Sequence, residues 1–209
     1  MVVPTIVVLD AQCRMAALSM GGSDMHKVSE DVNGAWTERA GASVYWRETY
    51  SGGERLRLAV PANVRSVMRA LSDRLPAPHQ LLYVLHTPRG EGEAGRYQSE
   101  MLPDGELRTL LSRFEDFLWA DGRHDLWLRS AESGALIVWD RHNDVYCYGD
   151  LDRFEAELVQ LGFEPGDPPP LGTHLHHYRV EFDGDAAALL AAQIWSRTPL
   201  RPEDEQGGL

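Results

Sequence analysis

Apolar residues recur along this chain with two periods, near 2 and near 3.6, and the switches between them predict the elements. Thr5–Leu9 reads as a short apolar strand, while the stretch from Ala11 to about Asn33 has no sustained period. Residues 1–34 are therefore expected to be weakly tied to the fold. Ala42–Tyr50 and Arg55–Val60 alternate like strands around Ser51-Gly52-Gly53-Glu54, a hairpin signature. Pro61 suits a first helical turn, and Val64, Val67, Met68, Leu71 and Leu75 then fall on one face. Leu81–His86 is a continuous apolar run of the kind that fills a central strand, and a polar loop is expected from Thr87 to Pro103.

The clearest helix follows, with Asp104 as N-cap and an apolar stripe of Leu107, Leu110, Leu111, Phe114, Phe117 and Leu118, closed by Gly122. His124–Arg129, Ala135–Asp140 and Val145–Tyr148 then read as a three-stranded meander with turns at 131–134 and 141–144. Leu151–Leu161 is a helix stopped by Gly162. After the stiff Gly166–Pro170 connector come a strand near His176–Phe182 and an Ala-rich helix over Asp185–Trp195. Hairpins and meanders between helices predict an α+β protein: a mostly antiparallel sheet, hairpin plus three-stranded meander, with helices packed on it. One domain over residues 35–198 and a disordered tail over 199–209 complete this division.

Composition narrows the partners. The chain has 209 residues and a formal net charge of -12, which repels a nucleic-acid backbone and favours a basic protein partner. Cys13 and Cys147 form no Cys-x-x-Cys pair and are too few for a disulfide framework. The opening MVVPTIVVLD lacks a basic n-region and is too short to span a bilayer, so the expectation is cytoplasmic, with no membrane partner. The single lysine, Lys27, among many arginines suggests a GC-rich bacterial gene.

Few motifs carry chemistry. Gly90-Glu91-Gly92-Glu93-Ala94-Gly95 matches the dinucleotide fingerprint by letter, but no helix opens on it and two glutamates stand where phosphate would lie. It is read as a flexible surface loop. No Walker lysine, Gly-x-Ser-x-Gly elbow or His-Glu-x-x-His is present. His174, His176 and His177 form a His-x-His-His string, and in an extended chain His174 and His176 point the same way, giving half of a metal site. If the meander turns around Glu132, His124 and Asp125 lie opposite Arg141 and Asp140, and the His142–Asp144 turn emerges at the same end. Candidate metal ligands are thus His174, His176, Asp140 and His124 or His142.

Two functions follow. The leading one is a non-enzymatic, acidic bacterial protein that binds, and inhibits as immunity proteins do, a basic protein partner, with no cofactor. Its candidate contact residues are Arg96 and Tyr97 in the long loop, with His142, His177 and Tyr178. The alternative is a metal-dependent hydrolase in which the His/Asp cluster holds a divalent ion such as zinc. Convergence of the imidazoles on one point separates the two.

Overall fold

In the computed structural model, residues 25–39, 41–59 and 64–205 are described. The strand expected at Thr5–Leu9 lies outside them. The described residues form twelve strands and six α-helices. β1 (Val28–Val32), β2 (Ala35–Glu38) and β11 (His174–His176) form a small antiparallel sheet in the order β11-β1-β2. A nine-stranded sheet runs β10-β3-β4-β9-β8-β7-β5-β6-β12, and its one parallel pair is β10 (Glu164–Pro165) with β3 (Val44–Tyr50). The antiparallel remainder comprises β4 (Gly53–Ala59), β5 (His79–Leu85), β6 (Gly95–Leu102), β7 (His124–Ser130), β8 (Leu136–Trp139), β9 (Asp144–Tyr148) and β12 (Trp195–Thr198). The α+β class is as expected, with a larger sheet than the sequence suggests.

Register explains which face is buried. Tyr45, Leu58, Val145, Trp139, Leu126, Tyr83 and Tyr97 are successive cross-strand partners. Each lies in the single apolar core with Leu71 of α1 (Val64–Ser72), Leu107 and Leu110 of α2 (Asp104–Arg113), Phe117 of α3 (Glu115–Ala120), Phe154 of α4 (Leu151–Gln160) and Leu189 of α5 (Asp183–Ala191). The long helix expected from Asp104 is broken at Phe114, where φ -107 and ψ 16 leave the helical region. Pro103 is its N-cap, and Asp104 instead bonds His79 Nε2 through its carboxylate.

Several expectations shift. The polar loop of 87–103 contains strand β6, and β12 pairs with it at the sheet edge. The glycine-rich segment is pinned, because Glu91 Oε1 accepts a 3.1 Å bond from the wholly buried Arg123. Within the stretch expected to be weakly tied, Lys27 and Val28 are fully shielded, and Asn33-Gly34, both at positive φ, turn β1 into β2. The strand expected near His176–Phe182 ends at His176, and a 3-10 turn spans Val180–Phe182. The tail is described to Glu205, with α6 (Pro202–Glu205) carrying a buried Asp204 paired to Arg96. No described helix is long and apolar enough to cross a membrane.

The two sheets meet where β7, β8 and β9 end. Gly122 N–H donates to His177 O at 2.8 Å, and His177 N–H to Lys27 O at 2.8 Å. A Cβ on Gly122 would stand 2.7 Å from Lys27 O, so only glycine lets the small sheet approach this closely.

Candidate metal centre

Two local structures carry the site. The β8–β9 turn is an Asp140-led loop: Asp140 Oδ1 accepts the backbone N–H of His142 at 2.8 Å and of Asp144 at 2.9 Å. Asn143 sits at φ 65, a conformation asparagine tolerates, and its Oδ1 takes the Trp139 indole N–H at 3.0 Å. This turn lifts His142 off the end of the large sheet. The second structure is β11, paired with β1 so that His174 faces Glu30 and His176 faces Val28. Alternation then sets His174 and His176 on one face, as the His-x-His spacing requires.

The imidazoles of His142, His174 and His176 converge. Their ring centroids are 5.1, 5.0 and 5.1 Å apart, a nearly equilateral triangle. One ligating nitrogen from each lies within 4.8 Å of the others. Zinc–nitrogen bonds of about 2.0–2.1 Å need these atoms drawn somewhat closer, a movement that small side-chain rotations supply.

The hydrogen bonds choose the ligating atoms. His142 Nδ1–H donates to Asp140 Oδ2 at 3.0 Å, and His174 Nδ1–H donates to Gly172 O at 3.0 Å. A ring nitrogen that donates in this way leaves Nε2 as the lone-pair donor, the arrangement by which carboxylates and carbonyls orient metal-binding histidines. Nδ1 of His176 is turned toward Gly122, where an added Cβ would come within 3.1 Å, and has no hydrogen-bond partner. His176 also lies parallel to the Tyr178 ring at 6.0 Å.

Electrostatics disfavour the charged forms of His174 and His176. Burial, then the charges of His142, Arg141 and His174, holds His176 down to about 2. His174 is lowered chiefly by burial. Asp140 is held low: burial opposes this, but the charge and hydrogen bond of His142 and two backbone N–H groups outweigh it. Asp144 is pushed up by burial and by the negative charge of Asp140. Arg39 braces the turn from below, donating to His142 O at 2.9 Å and pairing with Asp144 at 3.0 Å.

Not every candidate residue joins the cluster. Asp140 stands behind His142 as its hydrogen-bond acceptor. His124 lies in the core between Tyr83 and Phe117, at centroid distances of 5.0 and 4.8 Å. The register places Asp125 beside Asp140 as expected, and Asp125 Oδ1 accepts Arg141 N–H at 2.7 Å. Arg96 and Tyr97 are buried, the first paired with Asp204 and the second donating to Glu93 O. His177 bonds Ser29 Oγ at 2.9 Å on the other face of the small sheet. Trp119 is buried against His26 and Trp139. Arg39, Gly122 and the Gly172 carbonyl, which complete the surroundings of the site, carry no sequence signal.

The chain matches no known protein family, no curated protein and no solved structure.

Proposed function

We propose that this protein binds a divalent transition metal, zinc foremost, through His142, His174 and His176, and uses it as a hydrolytic centre. The observation that carries this reading is the convergence of three imidazoles, one buried and two half-buried, two of them with Nδ1 already committed to an acceptor. An all-nitrogen donor set suits zinc, copper, nickel or cobalt and is a poor match for magnesium or calcium. Three protein ligands leave a fourth position for water or substrate, the composition of catalytic centres rather than closed structural ones. A bound ion there polarises a carbonyl or phosphoryl oxygen and lowers the pKa of water to about 7. Glu30, opposite His174 across the β1–β11 pair and accepting the Gly172 N–H on Oε1, would offer its other oxygen as the proton acceptor.

Elemental analysis of protein purified with excess zinc tests the metal. About one zinc per chain is expected, falling to background in His142→Ala, His174→Ala and His176→Ala and retained in His177→Ala. No bound metal and no change in melting temperature on adding zinc would overturn the reading. Hydrolysis of p-nitrophenyl acetate, lost on chelation and in His142→Ala, is the expected activity. Zinc binding without turnover would retire the hydrolytic half and leave the metal half standing.

A further inference from the structure

A second site lies on the helix face of the large sheet, between α1 and the α2–α3 pair. There the side chains leave a cleft of about 290 Å³. Its floor is Trp139, Leu118 and Leu126, each almost wholly shielded from bulk solvent, and Met68 forms one wall. Ser72 and Ser112 stand on its sides. Two ion pairs border the mouth, Arg69 with Glu115 at 2.6 Å and Arg108 with Asp73 at 2.7 Å.

We propose that this cleft binds a small, flat, uncharged aromatic molecule. Size sets the first limit: at about 30 Å³ per water, the space is worth roughly ten waters, the bulk of one fused two-ring molecule. Chemistry sets the second. A floor of indole and branched aliphatic side chains beside a methionine thioether gives a ring both an apolar surface and a sulfur contact. Water held against such walls lacks partners, and an apolar occupant displaces it favourably. Charge sets the third limit. The two arginines and two carboxylates at the mouth cancel, so an ionised ligand meets no excess of opposite charge to offset its desolvation. The serine hydroxyls supply the few convergent polar groups that fix orientation in such pockets. Ser72 donates its own proton to Arg69 O at 2.8 Å, which leaves its lone pairs to accept a ligand hydroxyl.

This site is independent of the metal reading, and the experiment keeps them apart. The probe is 2-naphthol, titrated into the full chain by calorimetry and by amide chemical shifts. Saturable binding is expected, with shifts confined to α1, α2, α3, β7 and β8. 2-Naphthoate, the same ring system with a charge, is expected to bind at least about tenfold more weakly. Ser112→Trp, at an exposed wall position, should fill the cleft and weaken 2-naphthol at least about tenfold with the zinc stoichiometry unchanged. Leu111→Phe narrows the same cleft and checks the result should Ser112→Trp misfold. No heat and no shifts up to the solubility limit would overturn the proposal, as would equal binding of naphthoate or undiminished binding by both folded variants.

Discussion

Asp140 shows how much of the proposed metal centre would rest on a residue that does not itself ligate. Its carboxylate fixes the β8–β9 turn through two backbone N–H groups and fixes the His142 tautomer through Nδ1. In Asp140→Asn one oxygen can still hold the turn, but the amide NH2 then faces Nδ1 and favours the tautomer with its proton on Nε2, the ligating atom. Zinc affinity is therefore expected to fall about 10–100-fold with the circular-dichroism spectrum unchanged. A chelator competition that finds the two affinities within twofold would refute this role. Lys27, whose Nζ donates to Asp140 O at 3.1 Å and lies 4.3 Å from the Trp139 ring centre, gives a different kind of prediction. Burial lowers its pKa from 10.5 to about 8, against the pull of Asp125, Asp140 and Asp121. Between those values the unfolded chain holds a proton that the folded chain has released, so this group makes stability rise with pH. Cys147 and Tyr83, held protonated by burial, act in the opposite sense at the alkaline end. Subtracting Lys27→Met from the wild type isolates the lysine. Urea unfolding should show the difference in favour of wild type growing by about 1–2 kcal/mol from pH 7.5 to 9.5.

Elements with an undiluted apolar period are the ones that sequence reveals. The meander, α4 and the β3–β4 hairpin fall within a few residues of their expected bounds because their inward positions are apolar. Strand β6 escapes because its buried positions include Arg96 and Ser99 while Met101 is exposed, so tertiary partners satisfy what the pattern reads as loop. Strand β12 escapes because a mostly exposed edge strand has little period to show. Asn33-Gly34, a dipeptide that favours a tight hairpin, marks β1–β2 within a stretch that hydrophobicity alone discards. The His-x-His spacing made half of the site legible. Its third member depended on strand register, which no local pattern fixes. Arg123 explains why the Gly90–Gly95 segment is not loose: its guanidinium binds Asp121, Glu91 and Asp183, joining β7 to that loop and to α5. Arg123→Met strands the fully buried Asp121 carboxylate and should cost about 3–5 kcal/mol in urea unfolding. A loss below 1 kcal/mol would mean that the loop is held by other contacts.

On the scale of the whole molecule, the proposed metal centre would also be a joint. His142 belongs to the nine-stranded sheet, and His174 and His176 to the three-stranded one. Other contacts of the joint include hydrogen bonds around Gly122, Lys27 and Arg39, the Arg39–Asp144 ion pair, the His26–Trp119 ring contact, and Arg179, which donates to Ala120 O and His26 O. An ion ligated from both sheets binds the assembled state and not the unfolded chain, so mass action turns affinity into stability. Zinc at a free concentration of 100 times its Kd should raise the unfolding free energy by about 2.7 kcal/mol. The gain should be local as well as global. Opening of the small sheet breaks the ligand set, so amide exchange in β1 and β11 should slow with zinc, while strands distant from the joint change only through global unfolding. His142→Ala removes the ligand on one side only and should abolish both effects while leaving β11 paired with β1. If zinc instead bound to the His174–His176 pair alone, that variant would keep the protection of β11 and the joint would not exist.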